Sequence, residues 1–321
     1  MQKLKALYRF SGKDQTWFIN GMASEKGENG FVFSDFSKKR SFCIQPEIHK
    51  VISKKEIETL FFSSNNTSDW KSTTKEDYDF GFSIIKNEIE HKHINKAILS
   101  RKCVKDKKVD AVKLFNDLSN NYKDSHVFLT ETPGGDLWIG ATPETLLENE
   151  SGFFQTMSLA GTKSDELIEW TEKEYTEQKI VTNAIIAALF KFNITPEISD
   201  LETVKAGAVY HLRNQIKFQT IESPLKIAEF LHPTPAISGN PKNQAISTIK
   251  IAENHDREYY CGYGGIVKGD QVECLFVNLR CASISKNQIC LFLGGGITKK
   301  SLLDKEWEEC ERKGHSLLRY L

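Results

Sequence analysis

What the 321-residue chain lacks narrows its class before any motif is read. It has no excess of either charge, with 43 Lys and Arg against 43 Asp and Glu. A neutral chain carries no global field to draw it onto nucleic acid or an anionic membrane, so neither is expected as a partner. No apolar run approaches the roughly 18 residues of a membrane span, and MQKLKALYRFSG lacks the apolar core of a signal peptide. The seven cysteines, at 43, 103, 261, 274, 281, 290 and 310, include no C-x-x-C pair. An odd set without such pairs argues against a disulfide framework or a zinc site and fits reduced thiols in the cytoplasm. No repeat of about 20 to 50 residues is present, which excludes solenoids and propellers. G-x-G-x-x-G, Walker A, H-E-x-x-H and G-x-S-x-G are all absent, so dinucleotide, P-loop, zincin and serine-hydrolase chemistry lose their usual support. What remains, at 39% hydrophobic and 27% charged residues, is a globular cytoplasmic protein.

The polar stretch SSNNTSDWKSTTK at 63–75 reads as a linker or long loop. Residues 1–74 before and within it form a small N-terminal sheet region, with short apolar runs at Thr16–Ile19 and Gly30–Phe33, part of one compact unit with the catalytic region 75–321. Beyond it, Phe82, Ile85 and Ile89 mark a helix face, and Lys96–Arg101 an apolar strand. Strands are expected at 127–130, 137–139, 153–159, 208–221, 259–267, 272–284 and 288–293. Helices are expected at 164–191, 224–231, 241–253 and 302–320. Strand clusters interspersed with separate helices predict a mixed α/β (α+β) architecture of large antiparallel sheets with flanking helices.

Two helices carry carboxylates at i, i+3 spacing: Glu174 with Glu177, and Glu306 with Glu309, with Lys313 one turn beyond. Glu174 and Glu177 continue a stripe of Val181, Ala184 and Ala188, which directs them inward. Inward acids need a cation or hydrogen bonds, and two facing pairs would suit Mg²⁺, although solvated helix faces commonly show the same spacing. Leu159–Thr162 follows a strand and Gly294–Ile297 ends another, and both permit an anion to approach backbone N–H groups or simply make tight turns.

In order along the chain stand KAILSR (96–101), IGATPETLL (139–147), LAGT (159–162), KEYTEQ (173–178), VYHL (209–212), LHPTPAISGNP (231–241), REYYCGYGG (257–265), NLRCA (278–282), LGGGI (293–297) and EWEECERK (306–313). Together they resemble the chorismate-utilising enzymes, which comprise isochorismate, salicylate, anthranilate and aminodeoxychorismate synthases. The resemblance covers about 75–321 and implies the anthranilate synthase component I-like fold with a shortened N-terminal half. Within that family, Lys at position 96 resembles the water-adding branches, and Ala160 departs from the nucleophilic Lys of aminodeoxychorismate synthases. Ala236, where salicylate synthases tend to carry Thr, leans toward isochorismate synthase.

The resemblance implies isomerisation of chorismate by water addition at C2 and loss of the C4 hydroxyl, feeding menaquinone or a catechol siderophore. The rival readings are a salicylate synthase and a catalytically silent binding subunit. By resemblance Lys96 is the general base and Glu144 the general acid. Glu177 and Glu309 would ligate Mg²⁺, while Glu174 and Glu306 hold its waters. Gly161, Thr162 and Lys313 would assist at the ring carboxylate, Arg280 and Tyr260 would take the enolpyruvyl carboxylate, His211 would line the ring pocket, and Gly294 and Gly296 would also bind substrate. A monomer needing no glutamine amidotransferase subunit is expected. Two departures from the family pattern, Gln178 after Glu177 and Ile266 after Gly265, bear on pocket shape.

Overall fold

The computed structural model describes residues 2–25, 29–207 and 209–321. Four strands come first: β1 (Lys3–Arg9), β2 (Thr16–Ser24), β3 (Asn29–Ser34) and β4 (Phe42–Ile52). A short helix, α1 (Lys54–Glu58), leads to α2 (Lys75–Glu90), then β5 (Lys96–Asp106), α3 (Ala111–Asn121), β6 (His126–Glu131), β7 (Leu137–Thr142), β8 (Thr145–Glu150) and β9 (Phe153–Lys163). Next are α4 (Glu172–Phe190), β10 (Glu197–Ile198), β11 (Glu202–Ala206), β12 (Val209–Phe218), α5 (Pro224–Leu231), β13 (Gly239–Asn240) and α6 (Lys242–Ala252). The chain closes with β14 (Tyr263–Lys268), β15 (Gln271–Val277), β16 (Cys281–Ile284), β17 (Gln288–Thr298) and α7 (Leu303–Leu318).

All strand pairings among the described residues are antiparallel. They trace one ladder: β10 and β11 both on β12, then β9, β8, β15, β14, β3, β4, β2, β1, β6, β7, β16, β17, β5 and β13. The expected architecture of antiparallel strands with flanking helices is the one observed. The N-terminal strands stand in the middle of the ladder, where β3 pairs with β14 and β1 with β6.

Side-chain alternation gives the sheet two cores. Tyr8, Phe128, Trp138, Cys281 and Phe292 join an aromatic-rich cluster with Phe31, Phe33 and Phe276. Their strand neighbours Leu7, Val127, Leu129, Ile139, Ala282, Leu291 and Leu293 join a second cluster with residues of α2, α3 and α6, among them Ile85, Phe115 and Ile249. Successive residues of a strand face opposite sides, so strands covered on both faces read as unbroken apolar runs.

Four local expectations are corrected. The helix expected from 164 begins at Glu172, because Thr171 and Glu174 form a reciprocal capping box that fixes its start. The apolar residues before it, Leu167 and Ile168, are exposed. The Gly294–Gly296 run does not end its strand: β17 continues through it to Thr298, paired throughout with β5. The strand expected at 259–267 begins only at Tyr263, and the one at 272–284 is two, β15 and β16, broken at 278–280. The strand expected from 208 is β12, and residue 208 lies outside the described residues. The 63–74 segment has neither helix nor strand, but it is pinned to the sheet. Asn65 N donates to Gly135 O at 3.1 Å and Thr73 N to Lys102 O at 3.0 Å.

Candidate active site

Lys96 opens β5 between Thr298 of β17 and Asn240 of β13, and strands on both sides leave it fully buried. Its Nζ stands 2.8 Å from Glu177 Oε1. The glycines beside it are a steric requirement, because a Cβ on Gly296 would lie 2.4 Å from Glu177 Oε1 and 3.0 Å from Lys96 Cε. A Cβ on Gly295 would approach Glu306 Oε2 at 3.4 Å and Glu309 Oε1 at 3.6 Å. Glycine at 296 therefore lets α4 lay the Glu177 carboxylate against the strand, while the two α7 carboxylates lie over Gly295 at ordinary contact distance.

Each of those carboxylates faces a lysine. Besides the Lys96–Glu177 pair, Lys173 Nζ stands 2.7 Å from Glu306 Oε1, and Lys313 Nζ 2.7 Å from Glu309 Oε1. Lys313 also donates to Gly294 O at 3.0 Å. Burial and the neighbouring Glu309 push the Glu306 carboxyl above its ordinary range, against the pull of Lys173. For Glu309 burial is the largest influence and pushes up, but the Lys313 and Lys173 ammonium groups and His211 together outweigh it and hold the carboxyl below that range. Glu306 Oε2 is buried with no aligned donor.

Among the described residues no three His, Cys, Asp or Glu side chains form a ready-made metal cage. The orphaned Glu306 oxygen and the hard carboxylate oxygens of Glu177 and Glu309 over the same glycine strip fit a hard divalent cation. Glu174 is not brought to them: its Oε2 accepts from Thr171 N at 3.0 Å and from Thr171 Oγ1 at 2.5 Å. The expected inward stripe is displaced accordingly, since α4 buries Gln178, Val181, Ile185 and Leu189, while Ala184 and Ala188 are half-buried.

Glu144 follows the β7 end at Pro143 and is buried; its Oε1 lies 3.5 Å from Thr234 Oγ1. Burial pushes its carboxyl up to about 8, although the Lys96 charge and the Thr234 hydroxyl pull the other way. Both groups thus belong to one electrostatic neighbourhood, an amine under one wall and a protonated carboxyl in another.

Arg280 adopts a left-handed backbone, φ 47°, at the β15–β16 break. Its Nη1 donates to Ala206 O at 2.6 Å and its Nη2 approaches His211 Nε2 at 2.7 Å. Among the described residues no carboxylate lies within ion-pair distance of it. Burial lowers the guanidinium to about 10, so it stays charged at neutral pH. Half-buried at the cleft without a counter-ion, this cation is placed to pair with an incoming anion. Tyr260 is buried in the lining of the same cleft, and a Cβ on Gly294 would come within 2.6 Å of its hydroxyl.

One cleft, with about 750 Å³ of empty space including its mouth, is lined by Glu144, Gly161, Thr162, Glu177, His211, Tyr260, Arg280, Gly294, Gly296, Glu309 and Lys313. Of the residues singled out from the sequence, Lys96, Glu174 and Glu306 stand behind this lining rather than in it. The sequence reading missed Thr234 on Glu144, although HPTPA was noted, and Lys173 on Glu306. It also missed Arg257, buried and bonded to Ile98 O and Ile237 O beneath the cleft wall at 2.8 and 2.9 Å.

No helix of the described residues is long and apolar enough to cross a membrane. A family model described as chorismate binding enzyme matches residues 34–321. Isochorismate synthase EntC of Escherichia coli (strain K12) is 30% identical over 241 residues, covering 70% of this chain. The match spans 62% of EntC's own length. The structure of MenF, the menaquinone-specific isochorismate synthase from Escherichia coli, superposes with a TM-score of 0.84 at 19% identity, covering 99% of this chain and 88% of that one. Anthranilate synthase component I from Streptococcus pneumoniae TIGR4 gives 0.71 at 16% identity, covering 89% and 75%. These two structures share the fold. With the family model extending over most of its length and the cleft described above at its centre, the chain belongs to the chorismate-binding enzyme family.

Proposed function

We propose that this protein is a Mg²⁺-dependent isochorismate synthase. It would convert chorismate to isochorismate by adding water at C2 as the C4 hydroxyl departs, with transposition of the ring double bonds. The observation that carries this is the pairing of functions at one cleft, with Lys96 buried directly behind its lining and, in the lining, a carboxyl at Glu144 that holds its proton to about 8. Water is a poor nucleophile and hydroxide a poor leaving group, so the reaction needs one base and one acid.

Lys96, once it has given up its own proton, would accept one from the attacking water, and Glu144 would protonate the departing hydroxyl. Arg280 supplies the fork-shaped donor that a carboxylate matches, and Tyr260 flanks it. Lys313 and the backbone of Gly161 and Thr162 would meet the second carboxylate. Glu177 and Glu309, with Glu306, would hold Mg²⁺, which when bound neutralises carboxylate charge on the substrate. Ala236 in the lining supports release of isochorismate rather than pyruvate elimination to salicylate. One relative is named as vibriobactin-specific and one structural neighbour as menaquinone-specific, and the product here would feed a menaquinone or catechol siderophore route. Seven free thiols support a cytoplasmic enzyme, acting as a monomer without an amidotransferase subunit.

The test is product analysis after incubation with chorismate and Mg²⁺, repeated for Lys96→Gln and Glu144→Gln. Isochorismate from the wild type and nearly none from folded variants is expected. Salicylate with pyruvate, or no turnover at all, would overturn the assignment.

A further inference from the structure

The three carboxylates over the Gly295–Gly296 strip are matched one for one by ammonium groups, Lys96 on Glu177, Lys173 on Glu306 and Lys313 on Glu309, at 2.8, 2.7 and 2.7 Å. The cluster is thus neutral in itself. Lys96 lies in the sheet and is fully buried, and Lys313 is also tied to Gly294 O. Lys173 differs from both. It sits in the first turn of α4 with its side chain 22% exposed, and it reaches across to α7 and a carboxylate only 2% exposed. Lys313 is exposed to a similar degree, 19%, but has that second contact, so Lys173 is the one of the three most readily released to solvent, and its partner keeps a buried oxygen without an aligned donor.

We infer that Lys173 is a resident counter-ion of Glu306 which a divalent cation displaces on entry, so that this lysine sets how tightly the cation binds. The inference rests on the cation reading of Glu177, Glu306 and Glu309. A buried carboxylate left without a partner is strongly destabilising, so the cation-free protein needs this ammonium. Once a dication occupies the cluster, the same ammonium is a like charge pressed against it, and retreat to solvent is the available relief. Every Lys173–Glu306 contact must be given up for cation contacts, which weakens binding by the stability of the pair.

The experiment is calorimetric titration of the full-length protein with MgCl₂, without chorismate, for the wild type and for Lys173→Met, Lys173→Gln, Lys300→Met and Glu309→Gln. Lys173→Gln keeps a hydrogen-bond donor for Glu306 if the methionine variant folds poorly. Lys300 pairs with the exposed Glu172 on the same helix and controls for a general loss of positive charge. Both Lys173 variants are expected to tighten Mg²⁺ binding by roughly fivefold or more, with Lys300→Met within about twofold of wild type. Their melting temperatures should fall without Mg²⁺ and rise more steeply with it than the wild type's. Equal or weaker Mg²⁺ binding in both Lys173 variants would overturn the inference while leaving the cation site standing. Wild type and Glu309→Gln both failing to bind would instead remove the cation site, and the inference with it.

Discussion

His211 Nε2 stands 2.7 Å from Arg280 Nη2, and His211 Nδ1 stands 2.6 Å from the Gly161 carbonyl oxygen. A carbonyl only accepts and a guanidinium only donates, so one tautomer satisfies both: Nδ1 carries the proton and Nε2 accepts. Burial, reinforced by the Arg280 charge, lowers the imidazole to about 3, which keeps it neutral through the working range. His211 thereby holds Arg280 without competing for the anion that Arg280 awaits. A hydrogen bond to a charged group contributes about 1.5–3 kcal/mol. His211→Phe is therefore expected to raise the KM for chorismate by about ten- to hundredfold, with a smaller change in kcat. Steady-state kinetics on the variant check this, and an unchanged KM would contradict it.

Glu144 gives a pH dependence in two observables. Its carboxyl, ordinarily ionised near 4.5, keeps its proton to about 8 in the folded protein, chiefly through burial. As the proposed acid it is competent below that value, so kcat should fall as pH rises through about 8. For stability, the unfolded chain releases this proton near 4.5 while the native state retains it to about 8. The native state binds more protons across that window, so its stability declines as pH rises through it. Glu144→Gln removes that decline. Relative to wild type, the variant should unfold at higher urea at pH 8.5 than it does at pH 4.5, while forming almost no product.

The glycine strip makes a steric prediction. In Gly296→Ala the new methyl would stand 2.4 Å from Glu177 Oε1, closer than real contacts allow, and 3.0 Å from Lys96 Cε. Either the carboxylate or the lysine must move, and a misplacement of about 1 Å near the reacting atoms costs on the order of a hundredfold. The variant should keep a wild-type circular dichroism spectrum and lose about that much in kcat/KM.

A fourth prediction concerns the wall beneath the cleft. Arg257 is buried, donates to Glu253 at 2.7 Å and bonds the carbonyls of Ile98 and Ile237, joining α6 to β5 and to the cleft lining. Arg257→Met leaves Glu253 as a buried charge without its partner, and breaking such a pair costs about 3–5 kcal/mol. Urea denaturation should show a loss of that size. The double variant with Glu253→Gln should recover part of it.

Much of this site was legible because its residues sit in contiguous motifs whose order the fold preserves. Lys96 at a strand start and Glu144 after a proline turn were found this way. What stayed hidden depends on pairing across the chain. Lys173 lies within KEYTEQ, yet nothing local says that its ammonium reaches Glu306, 133 residues on. Glu174 misled in the other direction. Its spacing from Glu177 pointed inward, but the Thr171-x-x-Glu174 capping box, readable in advance, turns it back onto its own helix end. The glycine run read as a turn because glycine weakens strands in general. Only the crowding by Glu177 at Gly296 and by the Tyr260 hydroxyl at Gly294 shows why a central strand carries glycine at those two positions. The α3 helix went unread although Asp110 caps it and Leu114, Phe115 and Leu118 recur at helical spacing.

The place of the first strands in the ladder bears on how the molecule is made. Residues 29–34 wait for 263–268, the neighbours that complete their hydrogen bonding, until more than two hundred further residues have left the ribosome. Contacts so remote in sequence slow acquisition of the native state. During that interval the apolar edge of Phe31 and Phe33 stands open to other chains. Trimming the amino-terminal segment would not shorten a border. It would divide the sheet between strands that never touch each other.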